Sequence, residues 1–146
     1  MEVTLATWVV ALAGLVVMGL LMALQVVAVL CPRAQCTIDN VYGGDPAATD
    51  PKAYFAFNQG YAWADTLFWG PIQVVASIGM LLGQQWGFLL GLVASVPYAY
   101  SAVNIYIWDR DMGFRGETWT YWVFIWGMFP AFGLIEGIYC FMRLLG

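Results

Sequence analysis

Glu136 is the only charged side chain in the run 121–142, Tyr-Trp-Val-Phe-Ile-Trp-Gly-Met-Phe-Pro-Ala-Phe-Gly-Leu-Ile-Glu-Gly-Ile-Tyr-Cys-Phe-Met. The run is long enough to cross a bilayer. An acidic or basic side chain at the centre of such a helix costs about 2.5 kcal/mol or more on insertion scales. A carboxyl carried at that cost acts in one of two ways: as hydrogen-bonding glue between helices, or as a ligand or proton site. Asp65 is the second acid in an apolar stretch, 61–82.

Depth along a helix, at 1.5 Å per residue, separates the two acids. Asp65 falls about 6 Å in from one face and Glu136 about 27 Å from that same face. This separation disfavours a two-carboxylate mechanism, which needs the groups within about 10 Å. Each acid instead has polar residues at its own level, which defines two expected layers. One holds Gln25, Asp65 and Asn104; the other holds Gln73, Ser95 and Glu136, with Gly14 beside it. Asp65 has a structural reading as well: placed in the first turn of a helix it favours the macrodipole, with Asn58 or Tyr61 near the cap. Gly133 and Gly137 bracket Glu136 and point to a crowded, protein-facing surface around it. Arg143, two turns further on, is too far for a tight pair and reads as an interfacial anchor.

Other chemistries lack their residues. There is no His, which removes the commonest general base and the usual zinc and haem ligand. No phosphate loop, dinucleotide fingerprint, metalloprotease motif or EF-hand loop is present. Cys31 and Cys36 are too sparse for a metal site and form a candidate disulfide; Cys140, in an apolar run, reads as a small packed hydrophobe. No cofactor, metal or catalytic residue is assigned. Aromatic residues are the other excess. Trp69, Trp122, Trp126, Tyr98, Tyr100 and Phe129 lie deep enough to line a pocket for a planar or apolar ligand, or to fill the core.

The composition says how these residues must be positioned. The 146-residue chain is 62% hydrophobic and 10% charged, against roughly 25% charged in soluble domains. Its net charge of −4 argues against nucleic-acid binding. Four stretches are apolar over about 20 residues: 3–30, 61–82, 86–107 and 118–145. The first lacks a basic leader and is too long for a cleavable signal, so it reads as a retained helix. Gly83-Gln84-Gln85 is a short turn that makes its flanking helices antiparallel neighbours. Residues 31–60 form the one sizeable polar connection, acidic and aromatic, suited to capping the helices or docking a partner. Pro71, Pro97 and Pro130 fall inside expected spans and should bend them. Phe68-Trp-Gly-Pro71 echoes Ile125-Trp-Gly-Met-Phe-Pro130, a match short enough for chance.

The expectation is therefore an all-α, multi-pass integral membrane protein: one four-helix transmembrane domain over residues 1–146, with both termini on the same side. Arg33, Lys52, Arg110 and Arg115 on the loop side favour a cytoplasmic loop face, whereas the acidic loop and the candidate disulfide favour the opposite, so orientation stays open. The leading function is non-enzymatic: binding an apolar, lipid-like ligand, or acting as an accessory subunit on other membrane proteins or on copies of itself. A small proton-coupled transporter using Glu136 is the alternative. A lipid- or isoprenoid-modifying enzyme using Glu136 or Asp65 is the third reading.

Overall fold

A computed structural model describes residues 1–38, 51–111 and 123–146; within these, the side chains of residues 51, 54, 108, 109, 111 and 124–126 are not described. All regular structure among the described residues is helical: α1 (Leu5–Leu30), the single turn α2 (Gln35–Thr37), α3 (Pro51–Ala64), α4 (Gly70–Leu81), α5 (Gln85–Asp111) and α6 (Phe129–Leu145). Two π-helical segments, Asp65–Trp69 and Val123–Met128, run directly into α4 and α6. Two helical stretches, Leu5–Leu30 and Gln85–Ile107, are long and apolar enough to cross a membrane.

Local chemistry explains most boundaries. Thr4 caps α1: its Oγ1 accepts from the Thr7 amide at 3.3 Å, and the Thr4 amide donates to Thr7 Oγ1 at 3.1 Å. This reciprocal arrangement satisfies two of the otherwise orphaned donors of a helix start. Cys31-Pro32 ends α1, as a ring without an N–H requires. The turn between α4 and α5 passes through Gly83 at φ +65°, a conformation open to glycine at little cost.

The second apolar stretch departs from expectation. Its helix starts at Pro51, ten residues ahead of residue 61. The backbone stays in the right-handed helical region through Ala64, Trp69 and Gly70, so α3, the π segment and α4 form one continuous rod. Residues 51–60 are too polar to register as a membrane span, yet they offer good helical residues behind a proline at the first position, where its missing N–H is harmless. The connection 31–60 is thus partly helix. Gln59 of α3 donates to the carbonyl of Ala28 at 2.7 Å, satisfying an acceptor in the last turn of α1.

Both π segments precede a proline, Pro71 and Pro130, near the start of the next helix. A proline lacks the N–H for its i−4 carbonyl and its ring collides with that carbonyl. Widening the preceding turn relieves both: the Gly70 amide reaches back five residues to Asp65 O. The two Trp-Gly…Pro echoes therefore share one local geometry, whatever their origin.

α5 packs against α4 and α6, and α1 packs against α3 and α4. The closest approach is between α4 and α5, where a Cβ added at Gly79 would lie 2.6 Å from Gly87 Cα. Gly91 faces α6 in the same way, 2.8 Å from Cys140 Sγ. The interior is layered. One apolar cluster holds Ala11, Met80, Phe88 and Cys140; the other holds Met18, Trp69, Ala94 and Tyr98. Between them lie Gly14 on α1, Gln73 and Ser77 on α4, and Glu136 on α6, while Ser95 on α5 falls within the second cluster, between Ala94 and Tyr98. Outside, large apolar side chains face outward along every long helix, among them Leu5 (81% exposed), Leu20, Phe68, Val96 and Leu134.

Candidate functional site

Glu136 and Gln73 are both 0% exposed. Gln73 Nε2 donates to Glu136 Oε1 at 2.6 Å and also approaches Ser77 Oγ at 3.4 Å. Four helices build this contact. α6 brings Glu136 and α4 brings Gln73 and Ser77. α1 contributes the absence of a side chain at Gly14, where a Cβ would lie 2.5 Å from Gln73 Nε2. α5 supplies the wall: a Cβ at Gly137 would lie 2.8 Å from Ser95 Oγ, and one at Gly133 2.7 Å from Tyr98 Cβ. The expected Gln73–Glu136 pairing is present. Ser95 stands at that level but turns its hydroxyl back to Leu92 O at 2.7 Å within its own helix. Such back-bonding is the usual resort of a mid-helix serine.

The site is not fully satisfied. Gln73 Oε1 and Glu136 Oε2 are buried without a hydrogen-bond partner among the described residues, and so is the Tyr98 hydroxyl. Buried polar atoms are nearly always paired, so three together mark this layer as unusual. Among the described residues no cation makes a contact with it. Arg143, on the same helix, donates to Glu2 O and lies 5.3 Å over the Phe88 ring.

Asp65 occupies a different setting. Because α3 begins at Pro51, Asp65 lies mid-rod in the π segment, and the first-turn macrodipole reading does not hold. It is 5% exposed and lines a groove of about 300 Å³ between the rod and α5. Tyr61, Phe68, Trp69, Val93 and Tyr100 line the same groove. Of its expected neighbours, Asn104 engages the Tyr61 hydroxyl, and Tyr61 lies within electrostatic reach of Asp65. Gln25 is half-buried on α1 and makes no hydrogen bond among the described residues, so it is not part of this layer.

The two acids are closer along the bundle than sequence depth suggested. Glu136 is level with Gln73, eight residues from Asp65 on the same rod, or about 12 Å. Tyr98 lies between them, within electrostatic reach of both. It stacks edge-on with Trp69 at 4.4 Å and with Phe132 at 5.1 Å, and lies 6.0 Å from Phe129. The Trp69 indole donates to Ala94 O at 3.0 Å. Trp69, Tyr98 and Phe129 thus form packed core, while Tyr100 is 65% exposed at the groove. Trp122 lies outside the described residues, as does the side chain of Trp126. Cys31 and Cys36 are exposed and not joined in a disulfide.

Sequence reasoning passed over a third polar group. Tyr139 OH contacts Thr7 Oγ1 at 2.5 Å and Thr4 Oγ1 at 3.2 Å, tying α6 to the start of α1. The Met1 amino group donates to Gly83 O at 2.5 Å nearby. A Thr-x-x-Thr spacing is a signal that could have located the cap, but nothing along the chain links it to residue 139. No family model, curated protein or solved structure matches this chain.

Proposed function

We propose that the chain is a four-span integral membrane protein that binds a single apolar chain, acyl or isoprenyl, in the groove beside Asp65. The membrane reading is supported by an inverted distribution of polarity: Glu136, Gln73, Ser77 and Thr7 are fully buried while leucine, valine and isoleucine side chains cover the outside. A water-soluble domain of this size rarely exposes an apolar surface so continuous. The spans are α1, the rod of α3 and α4, α5, and α6.

The groove carries the ligand reading. Phe68, Ile72, Val93 and Pro97 give it an apolar lining, and Asp65, with Tyr61, Tyr100 and Ser101, gives its wall a few polar groups. An apolar site with a few polar groups orients an amphiphile by its head while the chain fills the remainder. Helix faces with glycines could dock a partner, but those of α5 and α6 are occupied internally, Gly87 by α4 and Gly91 and Gly133 by contacts between α5 and α6. That favours ligand binding over an accessory role built on those faces.

Native mass spectrometry of the protein released from mild detergent tests this. The wild type should retain a lipid or isoprenoid adduct, and Val93→Trp, which fills the groove from an exposed lining position, should lose it. Identical adducts on both proteins would remove the groove as the site.

A further inference from the structure

Among the described residues, the groups packed around Glu136 cannot neutralise it. Facing it from α4 are Gln73 and Ser77, with Asp65 about 12 Å along the same rod. From α5 come Ser95 and Tyr98, and α1 sets Gly14 beside Gln73 and Ser77. On α6 itself the Cys140 thiol donates to Met80 Sδ at 3.6 Å. None of these is a cation, and Arg143 is engaged at Glu2 O. A lone carboxylate in such surroundings lacks the counter-charge that burial demands.

The unpartnered amide oxygen of Gln73 fits a two-state pair. As observed, the amide nitrogen of Gln73 faces Glu136 and donates, the arrangement that suits an ionised carboxylate. Gln73 Oε1 and Glu136 Oε2 are then both acceptors with nothing to accept. Adding one proton to the carboxyl and turning the amide over by half a turn gives the complementary arrangement. The new carboxyl O–H donates to Gln73 Oε1, and the amide nitrogen moves to the side that Oε1 occupied. Gly14 leaves space beside the amide, which a side chain there would crowd.

We propose that Glu136 and Gln73 form a reversible proton-binding site in which the amide of Gln73 turns over to match the carboxyl. The O–H bond forms on the carboxyl oxygen that faces Gln73, the proton comes from water, and it returns to water on release. The site stands apart from the Asp65 groove and works whatever the groove holds, although both readings need the helices to lie in a membrane. Its use would be to couple proton uptake to the side-chain link that Gln73 and Glu136 make between α4 and α6.

Infrared difference spectroscopy on the full chain in lipid nanodiscs, titrated with acid, tests this. The wild type should gain a protonated-carboxyl band together with a shift in a glutamine amide band. Both signals should be lost in Glu136→Gln, whose amide can still pair with Gln73 and so keeps the fold. Gln73→Asn, which shortens the reach, should move the midpoint of the carboxyl band by about one pH unit or more, the scale of one hydrogen bond to a charged group. Wild-type and Glu136→Gln spectra that titrate identically would overturn the proposal. So would a carboxyl band that responds to sodium at constant pH, which would make the site one for a metal cation. Adduct retention by the Val93→Trp protein is read separately, so failure of one reading leaves the other intact.

Discussion

Asp65 and Glu136 carry the same chemical group on neighbouring helices, about 12 Å apart along the bundle, in opposite surroundings. Asp65 sits in a widened turn at the wall of an open groove, with aromatic edges around it. Glu136 is sealed between two apolar clusters and held by one amide. The difference lies in the neighbours, not in the acids. A proline two residues after Trp69 forces the π turn that opens space beside Asp65, whereas glycines on both sides of Glu136 let α5 close over it. An acid beside a groove can meet a ligand; a sealed acid can exchange little larger than a proton.

Substitutions can break this contrast, beginning with the enclosed site. Gln73→Leu removes the donor from a buried carboxyl and should destabilise the protein by about 2–3 kcal/mol, read as resistance to denaturing detergent. Glu136→Gln should cost much less, and an equal cost would mean that the pair is not the stabilising unit. Gly14→Ala pushes a methyl group against the Gln73 amide and should cost about 1–3 kcal/mol. Gly19→Ala, which meets nothing within 4 Å, is its control.

Smaller effects sharpen the comparison. Tyr98→Phe deletes a buried hydroxyl that has no partner, so it should leave stability unchanged or raise it by up to about 1 kcal/mol. A clear loss would show that the hydroxyl bonds within the layer. Asp65→Asn removes a buried acid whose side chain makes no hydrogen bond among the described residues, so it should leave thermal stability unchanged or raise it by up to about 1 kcal/mol. It should nevertheless weaken retention of the groove ligand in native mass spectrometry. A large loss of stability with unaltered retention would reverse the roles assigned to the two acids.

The pairing of Gln73 with Glu136, and the place of Gly14 beside them, were legible in the sequence. Similar depth in two helices that run the same way follows from a constant rise per residue counted from one face. The same reasoning misplaced Asp65, because it began the helix where the hydropathy begins. Polar residues 51–60 extend the rod, and only helix formation, not apolarity, marks them. Gln25 and Ser95 were assigned by depth alone, and depth does not say which way a side chain points around the axis.

The sequence by itself determined that the chain is helical and apolar, where its breaks fall, and which few polar residues must be buried. Those are consequences of composition and of periods along one chain. Tertiary structure alone decided the rest. It turned Ser95 back on its own helix, brought Tyr139 to Thr7, and set Tyr98 between the two acids. It also opened a groove at one carboxyl while sealing the other. These depend on the rotation of each helix about its axis and on how closely glycines let backbones approach, and neither is written in any single segment.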